Sequence, residues 1–305
     1  MTTTNKAKGV YAPVVTPFLK NLEPDTAELI RQCEWLLTQD VGLAIFGTNS
    51  EANSLSVREK IDLMDALVAA GIAPDRMLPG TGCCALSDTV ELTRHAVRLG
   101  AIGVLMLPPF FYKGVSDDGI FASYAETIER VGDAGLRIYL YHIPQVSQVP
   151  ISLAVIERLL KAYPTTIAGI KDSSGNWENT RALIEGFGPQ GFDVFCGSER
   201  FLLATLRAGG VGSITATANV HPGPIAQLYR TWERPGADER QGVLDAVRSA
   251  FEQFPMIPAL KATIAHHAQK RDWRIVRPPL TALDQENAQA LSAALAKLEF
   301  SMPGL

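Results

Sequence analysis

Short apolar runs rich in β-branched residues recur through the first two thirds of the chain, at 10–15, 42–46, 77–80, 102–107, 138–142, 166–171, 192–197 and 211–215. Continuous apolar runs of this length, bounded by turn residues, predict strands buried on both faces, as in a parallel sheet. Helical stretches lie between them, and two have start signals with a physical reason. Asp25-Thr26-Ala27-Glu28 and Ser56-Val57-Arg58-Glu59 match capping boxes, in which the first and last side chains satisfy backbone N–H groups that no helical carbonyl can reach. The second leads into Ile61, Met64, Leu67 and Val68, an apolar stripe at helical spacing.

Strand followed by helix, met about eight times over roughly 220 residues, predicts an α/β fold, a (β/α)8 TIM barrel, in preference to an open doubly wound sheet with fewer strands. From residue 222 onward the strand signals stop and helical segments follow at 222–232, 239–254, 256–269 and 283–298, broken at Pro235-Gly236 and Pro278-Pro279. The expected organisation is a catalytic barrel over residues 1–221 with a helical region, 222–305, packed on it.

Composition narrows the class of partner. A formal net charge of -4 on 305 residues leaves no basic excess to track a phosphate backbone, so a small metabolite is expected and nucleic acid is not. Cys33, Cys83, Cys84 and Cys196 have neither zinc-site spacing nor the density of a secreted disulfide scaffold, and read as reduced thiols of a cytoplasmic enzyme. Residues 1–8 are polar with no apolar leader core, and no apolar run approaches the roughly 18 residues of a membrane span.

In a barrel of this kind, catalytic groups sit at the C-terminal ends of strands. The informative end is Ile167-Ala168-Gly169-Ile170-Lys171-Asp172-Ser173-Ser174-Gly175. Alternation puts Lys171 on the face of Ile167 and Gly169, and the glycine is expected to leave space beneath it. A desolvated amine there is a candidate nucleophile, because only a neutral amine adds to a ketone to form an imine; the alternative is a lysine marking the strand's exit into solvent. Tyr141, ending the fifth strand in Tyr139-Leu140-Tyr141-His142-Ile143-Pro144, is either a proton shuttle or a core tyrosine with a satisfied hydroxyl. Phe46-Gly47-Thr48-Asn49-Ser50-Glu51 is a strand exit whose consecutive N–H groups suit a carboxylate. No HExxH or P-loop is present, and Gly80-Thr81-Gly82 lacks the rest of a dinucleotide fingerprint. His266 and His267 project about 100° apart on a helix, which favours a structural role over shared ligation of a metal.

Taken in order, Gly47-Thr48-Asn49-Ser50-Glu51, Pro109-Phe110-Phe111-Tyr112, Tyr141-His142-Ile143-Pro144, Gly169-Ile170-Lys171-Asp172 and Thr217-Ala218-Asn219-Val220 resemble the family of dihydrodipicolinate synthase and N-acetylneuraminate lyase, over nearly the whole chain. The resemblance implies a class I pyruvate-dependent aldolase in which Lys171 forms the imine. Tyr141, Thr48 and Tyr112 would be a hydroxyl relay, Thr48 and Asn49 the carboxylate site, and Gly197 and Ile214 the pocket lining. It also implies that Tyr112 serves a neighbouring subunit's site, making a dimer the smallest competent unit and a homotetramer, a dimer of dimers, the expected assembly. No metal or organic cofactor is called for.

The chain also departs from the family's pattern. Asn49-Ser50-Glu51 stands where Thr-Gly-Glu is usual, and an amide N–H can still donate to a carboxylate. Val146 stands where the synthases resembling this chain would place an arginine to hold the acceptor's carboxylate, which argues against authentic dihydrodipicolinate synthase activity. In Gly197-Ser198-Glu199-Arg200, Glu199 matches the first of two acidic residues by which the sialic-acid branch would hold sugar hydroxyls. Arg200 is a candidate for binding an anionic group on the second substrate; its alternative is a surface arginine pointing away. The expected function is therefore a Schiff-base-forming lyase acting on pyruvate or a pyruvate-yielding 2-oxo acid, with an aldehyde as possible second substrate. The alternatives are dehydration of a 2-oxo-3-deoxy sugar acid through the same imine, and a non-catalytic 2-oxo acid sensor.

Overall fold

The computed structural model describes residues 6–305; the reading of a polar N-terminus falls partly on residues 1–5, outside that range. The first strands and helices in chain order are β1 (Gly9–Ala12), α1 (Thr26–Thr38), β2 (Gly42–Leu43), α2 (Val57–Ala69), α3 (Leu86–Leu99), β3 (Val104–Met106) and α4 (Asp117–Val131). They are followed by β4 (Ile138–His142), α5 (Pro144–Ser147), α6 (Leu153–Ala162), β5 (Ile167–Asp172), α7 (Trp177–Phe187), β6 (Asp193–Cys196), α8 (Leu202–Arg207) and β7 (Gly212–Ile214). The last four helices are α9 (Pro222–Thr231), α10 (Ala237–Phe251), α11 (Met256–His267) and α12 (Gln285–Ala296). The described backbone divides into two compact units, one over Ala73–Ser213 with residues 6–8, the other over Gly9–Ile72 with Ile214–Leu305.

In the first unit β3, β4, β5 and β6 pair in parallel in chain order, and Gly212 and Ser213 of β7 add to β6. Their side chains are buried throughout, as expected of strands covered on both faces. The run at 77–80, expected as a strand, forms one parallel bridge, Gly80 to Leu105, although Leu105 N–H donates to the Pro79 carbonyl at 2.8 Å and Thr81 N–H to Leu105 at 3.0 Å. Pro79 has no N–H, so the ladder cannot close on both sides. Gly82 lies where a Cβ would come within 2.4 Å of the Leu107 nitrogen, so backbones meet there with no room for a side chain.

In the second unit β1 and β2 pair in parallel, and Thr215 N–H donates to the Tyr11 carbonyl at 3.1 Å. β1 stops at Ala12, short of the expected Val15, because Pro13 breaks the ladder. Asn219 takes over: its Oδ1 accepts the Val15 N–H at 3.0 Å, and its Nδ2 donates to the Pro13 carbonyl at 3.0 Å and to Ala216 at 2.9 Å. The asparagine of the 217–220 motif is thus a structural splice.

The second capping box forms in full, whereas Asp25 caps α1 without a reciprocal contact, because the Glu28 carboxylate turns to Arg31 and Lys270. In the complete box Glu59 also receives the Arg277 guanidinium on both oxygens. That cation holds the Glu59 carboxyl at about 2 against an ordinary 4.5, with burial opposing and the Ser56 N–H assisting. A depressed carboxyl contributes stability that is complete above pH 4.5 and is lost as pH falls toward about 2. For a partly hydrated pair the contribution is about 1 kcal/mol. Glu59→Gln is therefore expected to melt lower than the wild type at neutral pH, with the two melting curves converging under acid; a gap that stays constant with pH contradicts the assignment.

Candidate active site

β4 and β5 run in register with Tyr141 opposite Lys171 and His142 opposite Asp172. Alternation along the strands then puts the tyrosine and lysine on one face and the histidine and aspartate on the other. Lys171 is 2% exposed, which excludes the solvent-exit reading, and its Nζ lies 4.2 Å from the centroid of the Tyr141 ring. Tyr141 is buried as well. Burial of both side chains takes the Lys171 nitrogen out of bulk water and sets it against the face of the tyrosine ring.

Gly169 has a different role from the one its position suggested. A Cβ there would come within 2.1 Å of the Asp193 carbonyl oxygen on β6, so the room left by the glycine is filled by the adjacent strand. The glycine permits close strand approach two residues before the lysine. Gly197 acts similarly at the end of β6: its N–H donates to the Asp172 carbonyl at 2.7 Å, and a Cβ would meet Ser173 Oγ at 2.1 Å. On the other side Ser173 N–H donates to the His142 carbonyl at 2.7 Å, so the segment leaving β5 is clamped by both neighbours.

Behind the lysine, the Asp172 carboxylate accepts the Thr180 hydroxyl at 2.6 Å, and the Ser174 N–H and hydroxyl at 3.0 Å each. His142 Nδ1 accepts the Ile151 N–H at 3.1 Å, and burial pulls its imidazole below the ordinary value, with the Asp172 charge opposing. Sequence reading had not singled out these groups, although Asp172 adjoins Lys171 in the motif. A short polar residue directly after a buried nucleophile was the available signal.

Glu199 is buried in the short turn 199–201 after β6, while Arg200 beside it is half-buried. Tyr112 is 73% exposed and packs edge-on against Phe111 at 5.4 Å. Val146 projects from α5 at 58% exposure, and Gln145 donates to the Ser173 carbonyl at 2.5 Å. Thus Lys171, Tyr141 and Gly197 are gathered with Asp172 and Ser173 at the ends of β4, β5 and β6, whereas Tyr112 faces outward.

In the second unit, Thr48 and Asn49 are half-buried in the turn 48–50, and Ile214 is fully buried. Ser50 Oγ accepts the Gly47 N–H at 3.1 Å, which ties off one donor of the loop. Glu51, in the left-handed region at φ 56, holds Lys261 of α11 by a 2.6 Å ion pair. Lys261 had gone unremarked in the sequence; a single lysine inside an otherwise apolar stretch of α11 was the clue. Burial depresses its ammonium to about 8, with Glu51 opposing. Among the described residues no group of three or more His, Cys, Asp or Glu could hold a metal ion, and no helix is long and apolar enough to cross a membrane.

Residues 6–298 match the model of the dihydrodipicolinate synthetase family. An uncharacterized DapA-like lyase from Chloroflexus aurantiacus is 33% identical over 294 residues, covering 95% of this chain and 97% of its own. The crystal structure of dihydrodipicolinate synthase from Agrobacterium tumefaciens superposes with a TM-score of 0.89 at 30% identity, covering 96% of this chain and 99% of that one. YagE, a prophage protein of the dihydrodipicolinic acid synthase family from E. coli K12 solved with pyruvate, gives a TM-score of 0.85 at 25% identity, with coverage of 96% and 99%. The fold is accordingly the α/β barrel expected from the strand and helix alternation, with C-terminal helices, and the chain is a lyase of the class I aldolase type. It belongs to the dihydrodipicolinate synthetase family.

Proposed function

We propose that the chain is a Schiff-base-forming lyase acting on pyruvate or a 2-oxo acid that yields it, with residues 1–221 as the catalytic barrel and 222–305 as its helical extension. The observation carrying this reading is the buried Lys171 amine over the Tyr141 ring, at strand ends clamped by Gly197 and Ser173. The neutral amine adds to the keto carbon, the former carbonyl oxygen takes up protons and leaves as water, and the resulting iminium withdraws electrons from the adjacent carbon. Carbon–carbon cleavage then leaves an enamine, and its reverse forms the bond. Tyr141 acts as general acid and base on the departing oxygen. Its partners in proton transfer are Thr48 and, from a neighbouring subunit, Tyr112, whose exposure in the single chain supports that assignment.

The donor carboxylate is assigned to Thr48 and Asn49; Gly197 and Ile214 line the pocket, and Glu199 and Arg200 face the second substrate. Val146, apolar and exposed, cannot supply a charge-assisted pair to an acceptor carboxylate, which supports an acceptor other than that of dihydrodipicolinate synthase. The working form is a cytoplasmic homotetramer, and the iminium itself serves as electron sink, so the chemistry calls for no metal.

Product NMR across a panel of 2-oxo acids, with and without aldehydes, tests the reaction. Retro-aldol release of pyruvate or aldehyde-dependent condensation is expected. Loss of water from a 3-deoxy sugar acid without carbon–carbon cleavage assigns the dehydratase reaction instead, and pyruvate binding with no turnover across the panel contradicts the catalytic reading.

A further inference from the structure

Residues 258–265 of α11 are buried without exception, and Lys261 sits in their middle. The side chains of Lys261 and Glu51 are both 0% exposed. Two charges removed from water are tolerated only when nearly every polar position is satisfied. That condition is met on the carboxylate: Lys261 Nζ lies 2.6 Å from Oε1, and the Arg277 backbone N–H donates to Oε2 at 2.9 Å. The Phe18 ring presents its face to both cations, at 4.5 Å from Lys261 Nζ and 4.8 Å from the Arg277 guanidinium carbon. The Arg277 head is itself spent on Glu59 and on the Ser54 and Leu22 carbonyls.

Stability alone is a poor reason for such a pair, since apolar residues of equal volume often do as well. What Glu51 supports is more telling. It stands between two short turns, 48–50 and 52–54, in a left-handed conformation that a residue with a Cβ keeps only where its surroundings impose it. The Ser50 carbonyl accepts the Thr16 hydroxyl at 2.7 Å, and Ser50 Oγ holds the Gly47 N–H. Residues on both sides of Thr48 and Asn49 are therefore tied into the core, while those two stay half-exposed.

We infer that the buried Glu51–Lys261 pair is a positioning device that fixes the Thr48–Asn49 turn in the shape that receives the 2-oxo acid carboxylate. Lys261, on a C-terminal helix, thereby governs donor affinity without touching substrate. The inference rests on the proposed Schiff-base reading and deepens it.

The test compares the wild type with Glu51→Leu/Lys261→Met, which removes both charges together, and with Lys261→Arg, which keeps the charge but changes its reach. Melting curves establish folding, and the readouts are pyruvate KM, kcat at saturation, and borohydride trapping at Lys171. A positioning role predicts a KM for pyruvate raised roughly 10-fold or more in the double variant and a smaller rise in Lys261→Arg, with kcat falling alongside because Thr48 also serves the proton relay, while the amount of adduct trapped at saturating pyruvate stays within about threefold of wild type. An unchanged KM in the folded double variant overturns the inference, as does an unchanged KM in Lys261→Arg should the double variant not fold. Wild-type protein that gives no trapped adduct overturns the Schiff-base reading itself, and this inference with it.

Discussion

Replacing Lys171 with methionine or arginine is expected to lower kcat/KM by roughly 10⁴-fold or more, because each removes the nitrogen proposed to form the covalent intermediate. The two substitutions separate nucleophilicity from charge. Arginine places a permanent cation at this position but its delocalised guanidinium does not add to ketones, so a purely electrostatic role would leave that variant active. Tyr141→Phe keeps the aromatic face under the amine and loses only the hydroxyl. It should cost about 10²–10⁴-fold in kcat, the range ordinary for a general acid or base. Lys171 variants that stay within tenfold of wild type would place the chemistry elsewhere.

The second large effect is on folding. Gly169→Ala would set a Cβ 2.1 Å from the Asp193 carbonyl oxygen and 2.9 Å from its carbonyl carbon. A flexible side chain could swing aside, but this neighbour is the backbone of β6, held by pairing of Gly169 with Asp193 and Ile170 with Val194. Relief requires the strands to part. Overpacking of a tight interior costs about 1–3 kcal/mol and occasionally more, and a clash with backbone belongs at the upper end. Urea unfolding of Gly169→Ala should show about 3 kcal/mol of lost stability, with slower trapping at Lys171 two residues along the same strand. A loss below about 0.5 kcal/mol would show that β5 and β6 yield more readily than their geometry indicates.

Much of this was legible in the chain, and the gaps have physical causes. Strand positions followed from continuous apolar runs because buried parallel strands have little else in their sequence. Their lengths did not: Pro13 and Pro79 sit inside apolar runs, and a missing N–H shortens a ladder without changing the hydrophobic pattern. Lys171 and Tyr141 were found because both close a strand, but their closeness depends on register, which hydrophobicity leaves open. Gly169 and Gly197 were visible as glycines, yet whether an absent side chain makes room for a ligand or for another backbone is a three-dimensional fact. The Glu51–Lys261 pair joins residues 210 apart in the chain, beyond any local pattern.

The central claim is that the nitrogen of Lys171 captures a keto carbon. The direct measurement is incubation of the wild-type protein with carbon-13-labelled pyruvate and sodium borohydride, followed by digestion and mass spectrometry. A labelled carboxyethyl group on the peptide containing Lys171, absent from the methionine variant, is the predicted result. Labelling that is missing from that peptide at saturating pyruvate, or that appears equally on other lysines, contradicts it.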